Sequence, residues 1–166
     1  YERGATKKMD KVGFDCTSYV FPQDITDEEF QKEFDKINKD DNIDGILLLR
    51  PLPKHINEKA IEERINPVKD LDGISPVNLA KVYAGDVNGF APCTAEAVIE
   101  MLDYAGIDLI GKRVTVVGRS LVIGKPVAMM LMKKNATVTV CTLRQKIWQE
   151  HAVMQKCLLR RRVLQK

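Results

Sequence analysis

Three short segments of this sequence gather residue types that can do chemistry. The first is Val116-Val117-Gly118-Arg119-Ser120-Leu121-Val122-Ile123-Gly124-Lys125-Pro126, an apolar run that meets glycine just before a helix-forming stretch. A turn of this kind lets backbone N–H groups and the positive end of a helix face an anion. Gly118 permits the tight turn, Gly124 permits close approach of backbone, and Arg119 adds a planar charged fork that suits phosphate. The spacing is not Gly-x-Gly-x-x-Gly, so the general dinucleotide fingerprint is absent. Five residues separate the two glycines and Pro126 follows the lysine, so the segment is not a P-loop either. A nucleotide phosphate is one occupant of such a turn; an ordinary strand-to-helix connection has the same wording.

The second segment is Pro67-Val68-Lys69-Asp70-Leu71-Asp72-Gly73, where two carboxylates and a lysine crowd a turn. A carboxylate can accept paired N–H donors from a heterocycle, although Asp-Gly turns also occur for purely structural reasons. The third runs from Gly45 through Leu49 and Arg50 to the stiff Pro51-Leu52-Pro53, with Lys54 and His55 beyond. Ligands of open α/β sheets gather at the carboxyl ends of strands, and this segment ends an apolar run there. His55 alone reads more simply as a surface histidine.

The elements around these segments alternate in type. Gly4–Val12 is predicted as a helix stopped by Gly13, and Thr17–Phe21 as a strand stopped by Pro22. Thr26 caps a predicted helix to about Asn38, with Phe30, Phe34 and Ile37 as its apolar stripe. Gly45–Leu49 has the uninterrupted apolar character of a strand buried on both faces. Asn57 starts a helix through Ile65. The stretch from Asp70 to Pro92 is dense in Asp-Gly, Ser-Pro, Asn-Gly and Ala-Pro pairs, so it is predicted as loop marking a site or a domain junction. Thr94 caps a helix from Ala95 to Ala105. The strand Arg113–Val117, the helix Lys125–Lys134 and the strand Thr137–Cys141 form a βαβ unit, which requires a parallel sheet.

Composition excludes several function classes. The 166 residues are 45% hydrophobic and 30% charged, as in an ordinary globular chain. No apolar run approaches the ~20 residues of a membrane span, so no membrane partner is expected. The cysteines at 16, 93, 141 and 157 form no Cys-x-x-Cys pair, and His55 and His151 are the only histidines; no metal site is expected, and scattered thiols fit a reducing cytoplasm. Residues 1–144 carry 20 basic and 22 acidic side chains, while residues 145–166 carry 6 and 1. The basic excess therefore sits in the tail, and the near-neutral body does not point to nucleic acid.

Taken together, five ordered motifs resemble the methylenetetrahydrofolate dehydrogenase/cyclohydrolase family. They are Pro51-Leu52-Pro53-Lys54-His55-Ile56, Pro67–Gly73, Pro92-Cys93-Thr94-Ala95, Gly118–Pro126 and Ala136–Cys141, and the likeness runs from Tyr1 to about Arg144. The resemblance implies two α/β domains: a substrate domain with a parallel sheet over 1–106, ending in a linking helix, and a Rossmann-like nucleotide-binding domain over 107–144. Both are expected to be incomplete here, the first lacking the part that precedes the family's Tyr-x-x-x-Lys helix. The implied reaction moves a hydride from 5,10-methylenetetrahydrofolate to NADP, with NAD left open. Arg119 suits a 2′-phosphate, whereas Thr142-Leu143-Arg144 replaces the family's His-Ser-Arg. By resemblance, Tyr1 stacks on the pterin and Asp72 anchors it, and both carry the catalytic assignment. Leu49 stands at the substrate position, and Gly118, Arg119, Ser120 and Gly124 form the cofactor turn. The family also implies a cytoplasmic homodimer at full length.

Two positions depart from the family. Its catalytic lysine falls on Ala5; Lys7 and Lys8 are turned ~200° and ~300° from the Ala5 position on a helix. The glutamine that tunes this lysine falls on Leu49, with Arg50 where the family has leucine. Cyclohydrolase chemistry needs a proton relay, which alanine and leucine cannot provide and a guanidinium performs poorly. Hydride transfer depends mainly on orientation. The residues therefore predict a dehydrogenase with weak or absent cyclohydrolase activity; a non-catalytic nucleotide-binding module, or an inactive fragment of the same fold, is the alternative.

Beyond Arg144 the wording changes. The run Gln145-Lys146-Ile147-Trp148-Gln149-Glu150-His151-Ala152-Val153 can be encoded so that one added base regroups it into Thr-Lys-Asn-Leu-Ala-Gly-Thr-Cys-Arg, close to the family's continuation. Residues 145–166 are accordingly expected to be a frame-slipped tail, in which Trp148, His151, Cys157 and Arg160–Arg162 carry no selected function.

Overall fold

A computed structural model describes residues 2–142 and the backbone of residues 157–160. Tyr1, Leu143, Arg144 and the rest of the tail lie outside the described residues, and with them the stacking role expected of Tyr1. The elements run α1 (Glu2–Lys11), α2 (Asp27–Lys39), α3 (Glu58–Arg64), α4 (Pro76–Ala84), α5 (Cys93–Tyr104), β1 (Arg113–Val117), α6 (Gly124–Lys133), β2 (Thr137–Cys141) and β3 (Cys157–Arg160).

The predicted βαβ unit is present. β1 pairs in parallel with β2, from Arg113 opposite Thr137 to Val117 opposite Cys141, and in parallel with β3 on its other edge. Val114 and Val116 bury one face of β1 under Val127, Ala128 and Leu131 of α6 and Ala95, Ile99 and Leu102 of α5. The linking helix thus packs into the same core as the nucleotide half. A strand inside the tail region, at Cys157–Arg160, was not expected.

A second core gathers Phe30 and Phe34 of α2, Ile61 of α3, and Ile56, Ile65 and Ile74. Phe21 meets Phe30 edge to face with ring centroids 5.2 Å apart. Thr26 and Glu29 form a reciprocal capping box at the start of α2, and Asn57 caps α3 through the Ala60 N–H.

Four expectations need correction. Gly45–Leu49 is not a ladder strand: it makes one parallel bridge, Ile46 to Asp70. A strand exists by its neighbours' hydrogen bonds, and among the described residues only Lys69–Leu71 supplies them, through Ile46 N–H to Lys69 O at 2.6 Å and Leu71 N–H to Ile46 O at 3.2 Å. Thr17–Phe21 is not a strand either; its residues are largely exposed and find no ladder partner among the described residues. The parallel sheet among the described residues therefore belongs to the nucleotide half. The supposed loop 70–92 contains α4, with Ser75 at its N-cap, Pro76 in its first turn and Gly85 closing it at φ +72°. Finally, Thr94 does not cap α5, which begins two residues earlier than predicted, at Cys93 behind Pro92, with no side-chain cap.

Candidate functional site

The segment Pro67–Gly73 carries two aspartates with different surroundings. Asp70 is fully buried. Its Oδ1 accepts from Ile74 N–H at 3.0 Å, and its Oδ2 accepts from Ser75 N–H and from Asn78 Nδ2, each at 2.9 Å. Asn78, itself buried on α4, also donates to Pro67 O and accepts from Phe90 N–H. A carboxylate so enclosed and so fully paired is a structural part that folds residues 67–92 around itself. Lys69 is structural as well: its Nζ donates to Asn38 O at 3.2 Å and Asp40 O at 2.7 Å, carbonyls at the end of α2. Gly73, at φ +57°, is required because a Cβ there would lie 2.4 Å from Phe90 O.

Asp72 is placed differently. Its side chain is 23% exposed and faces Arg50, whose Nη2 lies 3.5 Å from Asp72 Oδ2. Its Oδ1 accepts from Cys93 N–H, the first residue of α5, at 3.3 Å. Cys93 Sγ donates to Leu71 O at 3.1 Å. The start of α5 therefore clasps the end of the 69–72 segment through both its backbone and its side chain. A helix N-terminus would ordinarily lower a thiol's pKa; here loss of solvent around the sulfur, then the negative charge and hydrogen bond of Asp72, push it up.

The segments bridged at Ile46 and Asp70 run parallel, so Leu49, Arg50 and Asp72 all follow their carboxyl ends, where such folds place ligands. Leu49 is 43% exposed. Arg50 is held by α3 as well as by Asp72: its Nη1 lies 3.1 Å from Glu62 Oε1 and 3.5 Å from Glu58 Oε1. His55, a candidate by type, holds Ile25 O at 2.9 Å and has a structural task. Ala5 lies on α1, which buries none of its residues and reaches other described residues through Ser18 Oγ donating to Glu2 Oε1 at 2.7 Å. The structure brings Arg50 and Asp72 together, with the exposed Leu49 next to Arg50 in the chain; among the described residues no hydrogen bond or ion pair joins them to α1.

The glycine turn lies at the carboxyl end of β1. Gly118 adopts φ +130°, outside the range L-residues favour, and its N–H donates to Cys141 O at 2.8 Å. A Cβ on Gly124 would lie 2.2 Å from Gly118 O, so Gly124 is needed because α6 starts against the turn. Ser120 Oγ accepts from Ile123 N–H at 3.1 Å and Gly124 N–H at 3.4 Å, and Ser120 O accepts from Lys125 N–H at 3.0 Å. Pro126 has no N–H. The first turn of α6 is thus already satisfied by Ser120, which caps it. Arg119 is exposed and pairs with no described residue. What remains for an anion is the Arg119 guanidinium and the amides from Arg119 to Val122, which donate to no described acceptor. The amides at the start of α6 are thus engaged by Ser120, while those of the preceding loop are not engaged by described acceptors.

Two family models match the chain: "Tetrahydrofolate dehydrogenase/cyclohydrolase, catalytic domain" over residues 1–72, and "Tetrahydrofolate dehydrogenase/cyclohydrolase, NAD(P)-binding domain" over residues 92–159. Among curated relatives, the bifunctional protein FolD of Clostridium kluyveri is 49% identical over 141 residues, covering 85% of this chain and 50% of the relative. That of Clostridioides difficile is 49% identical over 146 residues, covering 88% and 51%. The chain spans about half the length of the curated relatives it matches. Among solved structures, the FolD methylenetetrahydrofolate dehydrogenase/cyclohydrolase of Campylobacter jejuni superposes with a TM-score of 0.91 at 34% identity, over 95% of this chain and 56% of that one. The Trypanosoma brucei enzyme, complexed with NADP cofactor and inhibitor, gives 0.88 at 33% identity, over 96% and 55%.

Proposed function

The chain belongs to the tetrahydrofolate dehydrogenase/cyclohydrolase family, and from that premise we propose that it serves as an oxidoreductase of folate one-carbon metabolism, taking a hydride from 5,10-methylenetetrahydrofolate to NADP. The observation that carries the reading is the division of labour within Pro67–Gly73. Asp70 is enclosed and fully paired, whereas Asp72 is partly exposed at the carboxyl end of the bridged segment. A carboxylate in that position can take the paired N–H donors of a pterin edge, and Tyr1 is assigned the stacking face by resemblance. On the nucleotide side, Arg119 and the amides of the 118–122 turn fit a phosphate, and Gly118, Ser120 and Gly124 shape that turn. NADP supplies the hydride acceptor. The side chains described here bind and orient; none of Asp72, Leu49 or Ala5 needs to move a proton for the hydride step.

The same inventory argues against water activation. Ala5 and Leu49 stand where the family's lysine and glutamine would relay protons, so cyclohydrolase activity is proposed to be weak or absent. A second reading, a module that binds nucleotide without turnover, draws on those same two substitutions. Absorbance of reduced cofactor during incubation with methylenetetrahydrofolate and NADP or NAD tests the first reading. Turnover with no accompanying hydrolysis of methenyltetrahydrofolate is the expected result; cofactor binding without turnover favours the second reading, and hydrolysis at a rate comparable to oxidation refutes the cyclohydrolase assignment.

The division at residue 106, the cytoplasmic location and the homodimer belong to the same proposal. Among the described residues no helix is long and apolar enough to cross a membrane. Residues 145–166 are proposed to be frame-slipped, and an intact reading frame in the encoding DNA across codon 145 would refute this.

A further inference from the structure

We propose that Arg50 is a positioning residue: it fixes the plane of the Asp72 carboxylate and so sets how strictly the site demands two parallel N–H donors from its ligand. The inference rests on the proposed role of Asp72 as the pterin anchor. Arg50 replaces a leucine of the family's wording, and the structure shows the substitution engaged rather than idle. Its guanidinium spans two elements, with Nη1 at 3.1 Å from Glu62 and 3.5 Å from Glu58 on α3, and Nη2 at 3.5 Å from Asp72 Oδ2. Glu58 is itself tied down, its Oε2 accepting from Leu52 N–H at 3.4 Å. The other oxygen of Asp72 is held by Cys93 N–H at 3.3 Å.

The carboxylate is therefore held at both oxygens, by α3 through Arg50 and by α5 through Cys93. Rotating it requires leaving one of the two. A carboxylate has roughly two acceptor positions per oxygen, so each oxygen keeps capacity for one further donor. A ligand edge with two adjacent N–H groups, as on a 2-aminopyrimidinone ring, matches that pair, and a fixed plane rewards both donors together. The guanidinium fork is needed because it bridges two anchors at once; an ammonium is a single point and cannot span them.

The test is equilibrium binding to the full chain of tetrahydrofolate and of its 2-desamino counterpart, with melting temperature recorded for each variant. Arg50→Leu and Arg50→Lys are both expected to weaken tetrahydrofolate roughly two- to tenfold, the scale of one lost side-chain restraint. They should leave the 2-desamino compound within about twofold, since it offers one donor and gains little from a fixed plane. The ratio between the two ligands therefore narrows. Glu62→Gln, which frees the far end of Arg50 without touching the site, is expected to narrow it in the same direction and keeps the test open if Arg50→Leu does not fold. An unchanged ratio in these variants overturns the proposal. So does a full ratio in Arg50→Lys, because charge alone would then suffice. Asp72→Asn separates the two levels of argument: if it leaves tetrahydrofolate binding intact, the reading of Asp72 itself fails, and Arg50 loses its role with it.

Discussion

Replacing the two aspartates of Pro67–Gly73 one at a time should give opposite phenotypes. Asp70→Ala removes the acceptor for Ile74 N–H, Ser75 N–H and Asn78 Nδ2, at 3.0, 2.9 and 2.9 Å, from a site with no solvent access. Each donor left unpaired in such a place costs about 1–3 kcal/mol. The three losses are not independent, because Ser75 and Asn78 are themselves bonded to each other; breaking a buried charged network typically costs about 3–5 kcal/mol in total. At roughly 2–4 °C per kcal/mol for a domain of this size, the melting temperature should fall by about 6–20 °C. Asp72→Ala gives up a partly exposed ion pair, worth about 0–1 kcal/mol, and the bond from Cys93 N–H, worth about 0.5–1.5 kcal/mol, and leaves Arg50 with Glu58 and Glu62. Its stability should change less, while tetrahydrofolate affinity falls by about tenfold to a few hundredfold, as charge-assisted bonds to the ligand are lost. Thermal melts by circular dichroism and binding titrations on both variants decide the matter. Equal losses of stability in the two, or a fall in Asp70→Ala of less than about 1 kcal/mol, would refute the assignment of one aspartate to structure and the other to the ligand.

Other consequences are open to simpler tests. Gly124→Ala places a Cβ 2.2 Å from Gly118 O, a backbone atom that cannot swing aside; the turn must distort, and NADP binding followed by cofactor fluorescence should weaken at least about tenfold. Cys93 and Cys16 are both exposed residues, but partial desolvation of the Cys93 sulfur first and Asp72 second push its thiol up, so Cys93 should alkylate with iodoacetamide more slowly than Cys16, and Asp72→Asn should quicken it. Asp27 is held below its ordinary 3.8 by Asn57 N–H first and Gln31 second, and Glu29 below its ordinary 4.5 by the Thr26 side chain and backbone. Groups with lowered values stabilise the folded state above their ordinary range and lose that contribution as pH falls through the lowered one. Melting temperature should therefore hold down to about pH 5 and decline below about pH 4, and Asp27→Asn with Glu29→Gln should flatten the decline. A decline unchanged in that double variant would assign it to other carboxylates.

The elements that sequence predicts well here are those whose signals are local. The capping box Thr26/Glu29 and the phenylalanine stripe fix α2, and the two β-branched runs with a helix between them fix β1, α6 and β2. What sequence misses depends on partners. Gly45–Leu49 has the composition of a buried strand, but a strand is a relation between segments, and Ile46 finds only one bridge among the described residues. Helix α4 was legible in principle. Ser75-Pro76 at one end and Gly85 at the other are start and stop signals, obscured by the density of turn pairs around them. The strand at Cys157–Arg160 lies within the proposed frame slip, and a single missing base preserves residue count. Spacing from β1 would survive a slip that changes most side chains.

The site was legible in a different sense. Its motifs identify the positions that matter, but a motif does not separate a residue that touches ligand from one that holds the motif in shape. Lys69, Asp70, Gly73, Ser120 and Gly124 all lie within recognised wording, and in the structure each has a structural task that accounts for its type. Lys69 ends α2, Asp70 and Asn78 organise 67–92, Gly73 makes room for Phe90, Ser120 caps α6, and Gly124 clears Gly118. Subtracting these leaves Asp72 and Arg119, with the exposed Lys54 and Lys125, as the charged side chains of the motifs that retain capacity for a ligand. Arg50 joins them from outside the family's wording, and only the distances reveal it. Arg50, a departure from the family's wording, is here the residue that pairs with Asp72, the proposed anchor, which is why Arg50→Leu, the change that restores the family's residue, is expected to weaken discrimination in this protein.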